Sequence, residues 1–356
     1  MSYSIIIIFF LAVAISVLFT LLVRYLAKKF DFVDRPGPER KIHIFETPLL
    51  GGLAIFLAFF IMLYLLRGQL LSGELEPRHW LGFFLGAIVL MFGGALDDKL
   101  NLKPSRQIIF PILAIIAVIA GGVQIEKITN PFGGYLYLGL ASAPLIALWL
   151  LGMMYTTKLL DGLDGLVTGV TAIGAFIIFL FTMTTRYYQP DVGIAALVLS
   201  AACLGFLAFN WHPASIFLGE GGSLFLGYAL GVLAIISGGK IAVALLVMGV
   251  PILDVFWTII RRTSAGINPF KFSDRKHLHF RLMDLGLGQR KTVLIFYLFS
   301  AVFGLSALFL QSVGKVYALG ILVVIMIAIV VGFSYLDKRS TLTPLEKSNS
   351  NDIRNI

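Results

Sequence analysis

The feature that most limits the architecture is a succession of long apolar runs, bounded by glycine, proline or charged residues, that recurs along the whole chain. A helix of about 17–25 apolar residues matches the hydrocarbon thickness of a bilayer, and shorter ones fit inside a bundle. About eleven such spans are expected, with cores at 3–26, 49–66, 80–96, 107–121, 138–154, 166–185, 192–209, 222–237, 241–259, 292–310 and 316–335. With 58% hydrophobic and only 13% charged residues among 356, no soluble fold covers the apolar surface. The expected class is therefore an all-α polytopic membrane protein. It is read as one transmembrane domain over 1–337 and a polar, aperiodic, disordered tail at 338–356. The segment from Tyr3 to Ala27 lacks a basic leader and a small-residue cleavage site, so it is read as a retained span.

Lysine and arginine set the orientation, because they accumulate in cytoplasmic loops. One side holds Lys28, Lys29, Lys99, Lys103, Lys158 and the dense stretch from Arg261 to Lys291; the other holds only Arg67, Arg78, Lys127, Arg186, Lys240 and Lys315. An outside amino terminus and a cytoplasmic carboxyl terminus follow. On the outer side, alternation around Asn130-Pro131-Phe132-Gly133-Gly134 predicts a small β-hairpin. The net charge of +9 favours anionic partners such as membrane lipid headgroups or nucleotide sugars. Nucleic acid is a poor match, because the basic residues lie in short loops rather than on a soluble domain.

The acidic motifs all fall at the mouths of spans on the expected cytoplasmic side. Asp97-Asp98-Lys99-Leu100-Asn101 closes the run from Trp80 to Leu96. Asp98 and Asn101 share a helix face, and the group offers oxygens to Mg²⁺, which binds a few carboxylates plus water and substrate phosphate. The plainer reading is a solvated pair balanced by Lys99 or Lys103. Asp161-Gly162-Leu163-Asp164-Gly165-Leu166 is more specific, since its glycines let backbone or ligand come close. Its plainer reading is a turn in which Asp164 caps the next helix. Glu220, among Gly219, Gly221 and Gly222, either binds metal or answers a helix N-terminus for ~0.3–1 kcal/mol. Asn210 ends the preceding run, where a C-terminal cap is the ordinary role.

The loop from Arg261 to Lys291 carries Arg275, His277, His279 and Arg281. The two histidines share a face only on extended chain; in a helix capped by Ser273 or Asp274 and ending near Gly286, His277 aligns with Arg281 and His279 turns away. No thiolate is spaced for zinc, and contact with anionic lipid is the plainer reading. Near the amino end, the rigid linker from Asp34 brings Lys41 and His43 ahead of Gly51-Gly52. A secondary transporter is the rival class, but it would place acids within spans.

Taken in order, these motifs resemble the polyprenyl-phosphate N-acetylhexosamine-1-phosphate transferases, from about residue 34 to 292. The linker Arg40-Lys41-Ile42-His43 with Pro48, Asp97-Asp98 through Asn101, Asp161 to Leu166, Asn210 ten residues before the third acid, and His277-x-His279 carry the likeness. The linker and histidine motif look most like the bacterial undecaprenyl-phosphate GlcNAc-1-phosphate transferase branch. Three positions depart: Tyr155 and Lys158 stand where the family has asparagines, and Glu220 where it has aspartate. The resemblance implies a bacterial cytoplasmic-membrane enzyme with an inward-facing site. It would move N-acetylhexosamine-1-phosphate, GlcNAc-1-phosphate first, from a UDP-sugar to undecaprenyl phosphate and release UMP. Such a reaction initiates cell-envelope glycans of the cell-wall, lipopolysaccharide or teichoic-acid kind. A phospho-MurNAc-pentapeptide transferase with the same chemistry is the alternative, and a homodimer is the expected assembly. By the same resemblance Glu220 and Asp98 hold Mg²⁺, or Mn²⁺ in its place, and Asp97 orients or deprotonates the lipid phosphate. Asp161 and Asp164 bind the nucleotide end or the outer layer of waters; His277, His279 and Arg281 hold diphosphate oxygens, and Arg275 is a further substrate contact. Lys41, His43, Asn101, Lys158 and Asn210 complete the substrate contacts. Both a one-step transfer and a covalent aspartyl route stay open.

Overall fold

The computed structural model describes residues 4–35, 46–71, 75–130, 133–184, 188–238, 241–266 and 276–352, with side chains as far as 333. Its helices in chain order are α1 Ile5–Lys29, α2 Gly51–Leu65, α3 Arg67–Leu70, α4 Pro77–Leu100, α5 Pro104–Gln107, α6 Ile109–Ala120, α7 Ser142–Leu160, α8 Leu166–Thr182, α9 Pro190–Asn210, α10 Gly219–Ile236, α11 Ile241–Val247, α12 Gly249–Ser264, α13 Leu278–Asp284, α14 Gln289–Phe309 and α15 Ser312–Asp352. Two antiparallel pairs interrupt them: β1 Val33–Asp34 with β2 Thr47–Pro48, and β3 Lys127–Thr129 with β4 Tyr135–Tyr137.

The expected apolar cores fall on helices; among the described residues seven are long and apolar enough to cross a membrane by length and composition, or up to eight if one bent pair is a single span, against the eleven or so expected. The segments expected at 49–66, 107–121 and 166–185 are helices of 10–17 residues. The core expected at 241–259 is broken at Met248, where α11 and α12 meet at 78°. Pro251 explains the break: it has no N–H for the Val247 carbonyl, and its ring clashes there. At the carboxyl end, α15 continues to Asp352, into the tail expected to lack structure.

Helices α8, α9 and α10 form the buried centre, whereas α1 and α15 show Ile6, Phe10, Leu18 and Val324 outward. An apolar exterior of this kind is the surface lipid requires. Glycine sets how closely α10 nestles against its neighbours. A Cβ on Gly94 of α4 would lie 2.0 Å from the Gly221 nitrogen, and one on Gly52 of α2 would lie 2.0 Å from the Gly222 Cα. Small residues at such crossings allow backbone-to-backbone contact between membrane helices. These two seams fix the start of α10, and with it Glu220, between the end of α4 and the start of α2.

The ends of α4, α7 and α9 and the starts of α8 and α10 all lie at one end of the bundle. The β3–β4 hairpin pairs Lys127 with Tyr137 and Thr129 with Tyr135. It joins α6 to α7 and so sits at the opposite end.

Candidate active site

A cavity of about 790 Å³ opens at the end where the acidic motifs gather. Asp97, Asp98, Asn101, Lys158, Asp161, Asp164, Asn210 and Glu220 all line it, together with Gln107, His212 and Phe280. Residues drawn from α4, α7, α10 and the turns beside them therefore share one chamber. Among its described lining residues Lys158 is the only lysine or arginine, against Asp34, Asp97, Asp98, Asp161, Asp164 and Glu220.

Each acid is held differently. Asp97, near the end of α4, is buried and accepts the Leu102 N–H at 2.8 Å and the Gln107 amide at 3.0 Å, both on Oδ1. Its Oδ2 lies 3.9 Å from Lys158 Nζ. Asp98 Oδ1 accepts the backbone N–H of Glu220 at 3.0 Å, while its Oδ2 is buried without a partner. Glu220 stands in the first turn of α10, where the positive helix end favours an anion. Its Oε2 is 2.8 Å from Lys158 Nζ.

The Asp161–Gly165 turn joins α7 to α8. Gly165 takes a left-handed φ of +78° at the helix entry, so Asp164 is not the cap. Asp164 Oδ2 instead meets His212 Nδ1 at 2.7 Å and the Ala214 N–H at 3.1 Å. Asp161 opens onto the cavity, yet its pKa is pushed up to about 8. Enclosure by the walls is the first cause, and repulsion from Glu220, Asp98 and Asp164 adds to it. Asn210 holds this turn from below: its Oδ1 accepts the Gly165 N–H and the Thr168 hydroxyl, and its Nδ2 donates to the Ile216 carbonyl. Both ends of the amide are thus committed to holding the turn at the cavity wall.

The histidine motif lies behind the wall. His277 is the N-terminal flank of α13, in extended conformation, and that departure from helix turns both rings to one side, stacked with centroids 5.7 Å apart. Asp254 of α12 lies 2.8 Å from His277 Nδ1 and accepts the Leu278 N–H at 2.9 Å, thereby capping α13. His279 is fully buried against Phe280 and Phe296, with its Nε2 towards Gly162. Burial lowers its pKa to about 3, so the ring is neutral. Neither histidine lines the cavity, and Arg281 lies over the Phe333 ring. The three expected to hold diphosphate oxygens therefore lie outside the cavity lining in this arrangement; of them His279 packs behind the Asp161–Gly165 turn at Gly162, and Phe280 supplies the wall. Lys41, His43 and Arg275, like Ser273 and Asp274, lie outside the described residues. Gly51 and Gly52 at the start of α2 give their N–H groups to the Phe217 and Leu218 carbonyls, which steadies the approach to Glu220.

Comparison with known proteins agrees with this geometry. The model of glycosyl transferase family 4 matches residues 80–238, which contain all three acidic motifs. A Bacillus subtilis protein named as a probable undecaprenyl-phosphate N-acetylglucosaminyl 1-phosphate transferase is 33% identical over 315 residues, covering 86% of this chain and 85% of the relative. This chain belongs to glycosyl transferase family 4. An undecaprenyl-phosphate alpha-N-acetylglucosaminyl 1-phosphate transferase of Thermotoga maritima is 31% identical, covering 83% of this chain and 87% of its own. A phospho-N-acetylmuramoyl-pentapeptide-transferase of Halalkalibacterium halodurans is 29% identical over 78% of this chain and 88% of its own. The family is one of sugar-phosphate transferases, and this member is an enzyme of its polyprenyl-phosphate GlcNAc-1-phosphate branch. The transporter reading falls with that assignment.

Two residues of the cavity wall, and one behind it, went unnoticed in the sequence. Gln107 and His212 stand in ordinary polar turns that give no signal. Asp254 did give one, because a lone carboxylate inside an apolar run is a functional candidate by default.

Proposed function

We propose that the enzyme transfers N-acetylhexosamine-1-phosphate, GlcNAc-1-phosphate in the first instance, from a UDP-sugar to undecaprenyl phosphate with the help of Mg²⁺. The observation that carries this reading is a cavity rich in carboxylates with a single described lysine, to which two phosphorylated substrates must come. Such a chamber repels its substrates unless a cation enters with them.

The residues present fit a divalent ion. Asp98 Oδ2 is a buried oxygen with no partner, and Glu220 stands next to it in space, held by the bond from its own N–H to Asp98. Among the described residues no three His, Cys, Asp or Glu side chains close on one point. Mg²⁺ suits such a site, since it uses one or two carboxylates and completes its shell with water and phosphate. When bound, the ion neutralises the diphosphate and stabilises the departing UMP.

A phosphate oxygen of the lipid attacks the β-phosphorus of the UDP-sugar. The bond from that phosphorus to the oxygen bridging the two phosphates breaks, and UMP departs with the electron pair. The lipid phosphate is largely ionised at neutral pH, so positioning matters more than a base. Asp97, with Oδ1 committed to Leu102 and Gln107, aligns the chamber through its charge beside Lys158. Asp161 and Asp164 position the nucleotide end, the latter braced by His212. The site faces the cytoplasm, where nucleotide sugars are found, and the product starts a cell-envelope glycan.

Chelation tests the reading directly. EDTA should abolish formation of lipid-linked sugar phosphate by the purified enzyme, and Mg²⁺ or Mn²⁺ should restore it. Undiminished turnover in EDTA contradicts the proposal.

A further inference from the structure

Building on that metal-dependent reading, we propose that Lys158 competes with the divalent ion for Glu220 and yields it when a diphosphate enters. Metal and sugar nucleotide would then bind cooperatively through one side chain. The ammonium occupies the acid cluster: Nζ lies 2.8 Å from Glu220 Oε2, 3.9 Å from Asp97 Oδ2 and 3.1 Å from Gln107 Oε1. The last contact is directional. Gln107 donates its amide to Asp97 Oδ1 and to the Leu102 carbonyl at 2.9 Å, so its oxygen is turned towards Lys158. With side-chain exposure of 17%, Lys158 is enclosed but not sealed.

A metal ligand must be free of a competing cation, just as it must be free of a proton. While the ammonium holds Oε2, Glu220 offers the ion at most its other oxygen. The lysine stem is flexible and its charge is a compact point, which can turn from a carboxylate to a phosphate without rearranging the backbone. The position at the last turn of α7 keeps the charge favourable in either pose, because a helix C-terminus attracts cations. A neutral amide at 158 would leave Glu220 open to metal in the resting enzyme. Lysine makes full ligation conditional on the substrate. Coupling of this kind is reciprocal, so the metal must also tighten the nucleotide.

The test is Mn²⁺ binding to the purified full-length chain, followed by electron paramagnetic resonance without lipid acceptor, so that no turnover occurs. Titrations are run with and without UDP-GlcNAc. Lys158→Met and Lys158→Asn should each bind Mn²⁺ alone about tenfold or more tightly than the wild type. The extra affinity brought by UDP-GlcNAc should shrink in both, while Lys158→Arg should keep the wild-type pattern. Equal Mn²⁺ affinity and equal nucleotide enhancement in wild type and the neutral variants overturn the competition and leave the metal reading standing. No Mn²⁺ binding by any of the proteins overturns both.

Discussion

Glu220 is where three parts of the chain meet. Its N–H reaches Asp98 on α4, its carboxylate reaches Lys158 on α7, and its helix is wedged in place by glycine seams. Glu220→Ala removes the proposed cation ligand and leaves Lys158 without its nearest partner, so transfer of labelled sugar phosphate to lipid should fall about a hundredfold. Asp97→Asn keeps an acceptor for Leu102 and Gln107 but deletes the charge facing Lys158, and should also abolish transfer while the protein still expresses. Near-normal turnover in either purified variant removes that residue's assigned role. At this scale the acids were legible because a charge ending an apolar run stands out. Their partners were not: Gln107 is one polar residue among several in a short turn, and nothing local marks it as the bridge between Asp97 and Lys158.

Among the elements, α13 shows how a plausible local reading inverts. The apolar stripe of Leu278, Leu282 and Leu285 was legible, but the helix begins only at Leu278, after an extended His277, because the capping carboxylate comes from Asp254, twenty-four residues before Leu278. A remote cap leaves no trace in the neighbouring sequence. The consequence is a buried, neutral His279. Its folded pKa of about 3 lies below the ordinary 6.5, so between these values the unfolded chain takes up a proton that the folded one refuses. Stability from this residue is complete above pH 6.5 and is lost as pH falls towards 3. The unfolding temperature in detergent should therefore drop from pH 7.5 to 5.0, and His279→Leu should flatten that slope. An unchanged slope contradicts the burial of a neutral ring. The broken α11–α12 was legible in retrospect through Pro251, whereas its 78° bend depends on packing that periodicity does not encode.

At the scale of the whole molecule, a helical bundle gathers the acidic motifs at one end and leaves its apolar exterior to lipid. Hydropathy made the helices visible, since membrane spans need internal hydrogen bonding and an apolar surface. It did not separate full spans from the shorter helices α2, α6 and α8, because burial within the bundle permits lengths that free spans cannot have. Convergence of the acids followed from placing their motifs on one side, and the cavity bears this out for Asp97, Asp98, Asp161, Asp164 and Glu220. On the proposed reading, this chamber joins a sugar phosphate to a lipid phosphate. Its most direct test is incubation of the purified protein with undecaprenyl phosphate, Mg²⁺ and a panel of UDP-sugars, with mass analysis of the lipid fraction. The expected product is undecaprenyl diphosphate carrying N-acetylhexosamine, strongest with UDP-GlcNAc, with UMP in equal amount. A lipid fraction unchanged by every UDP-N-acetylhexosamine, UDP-MurNAc-pentapeptide included, would contradict it.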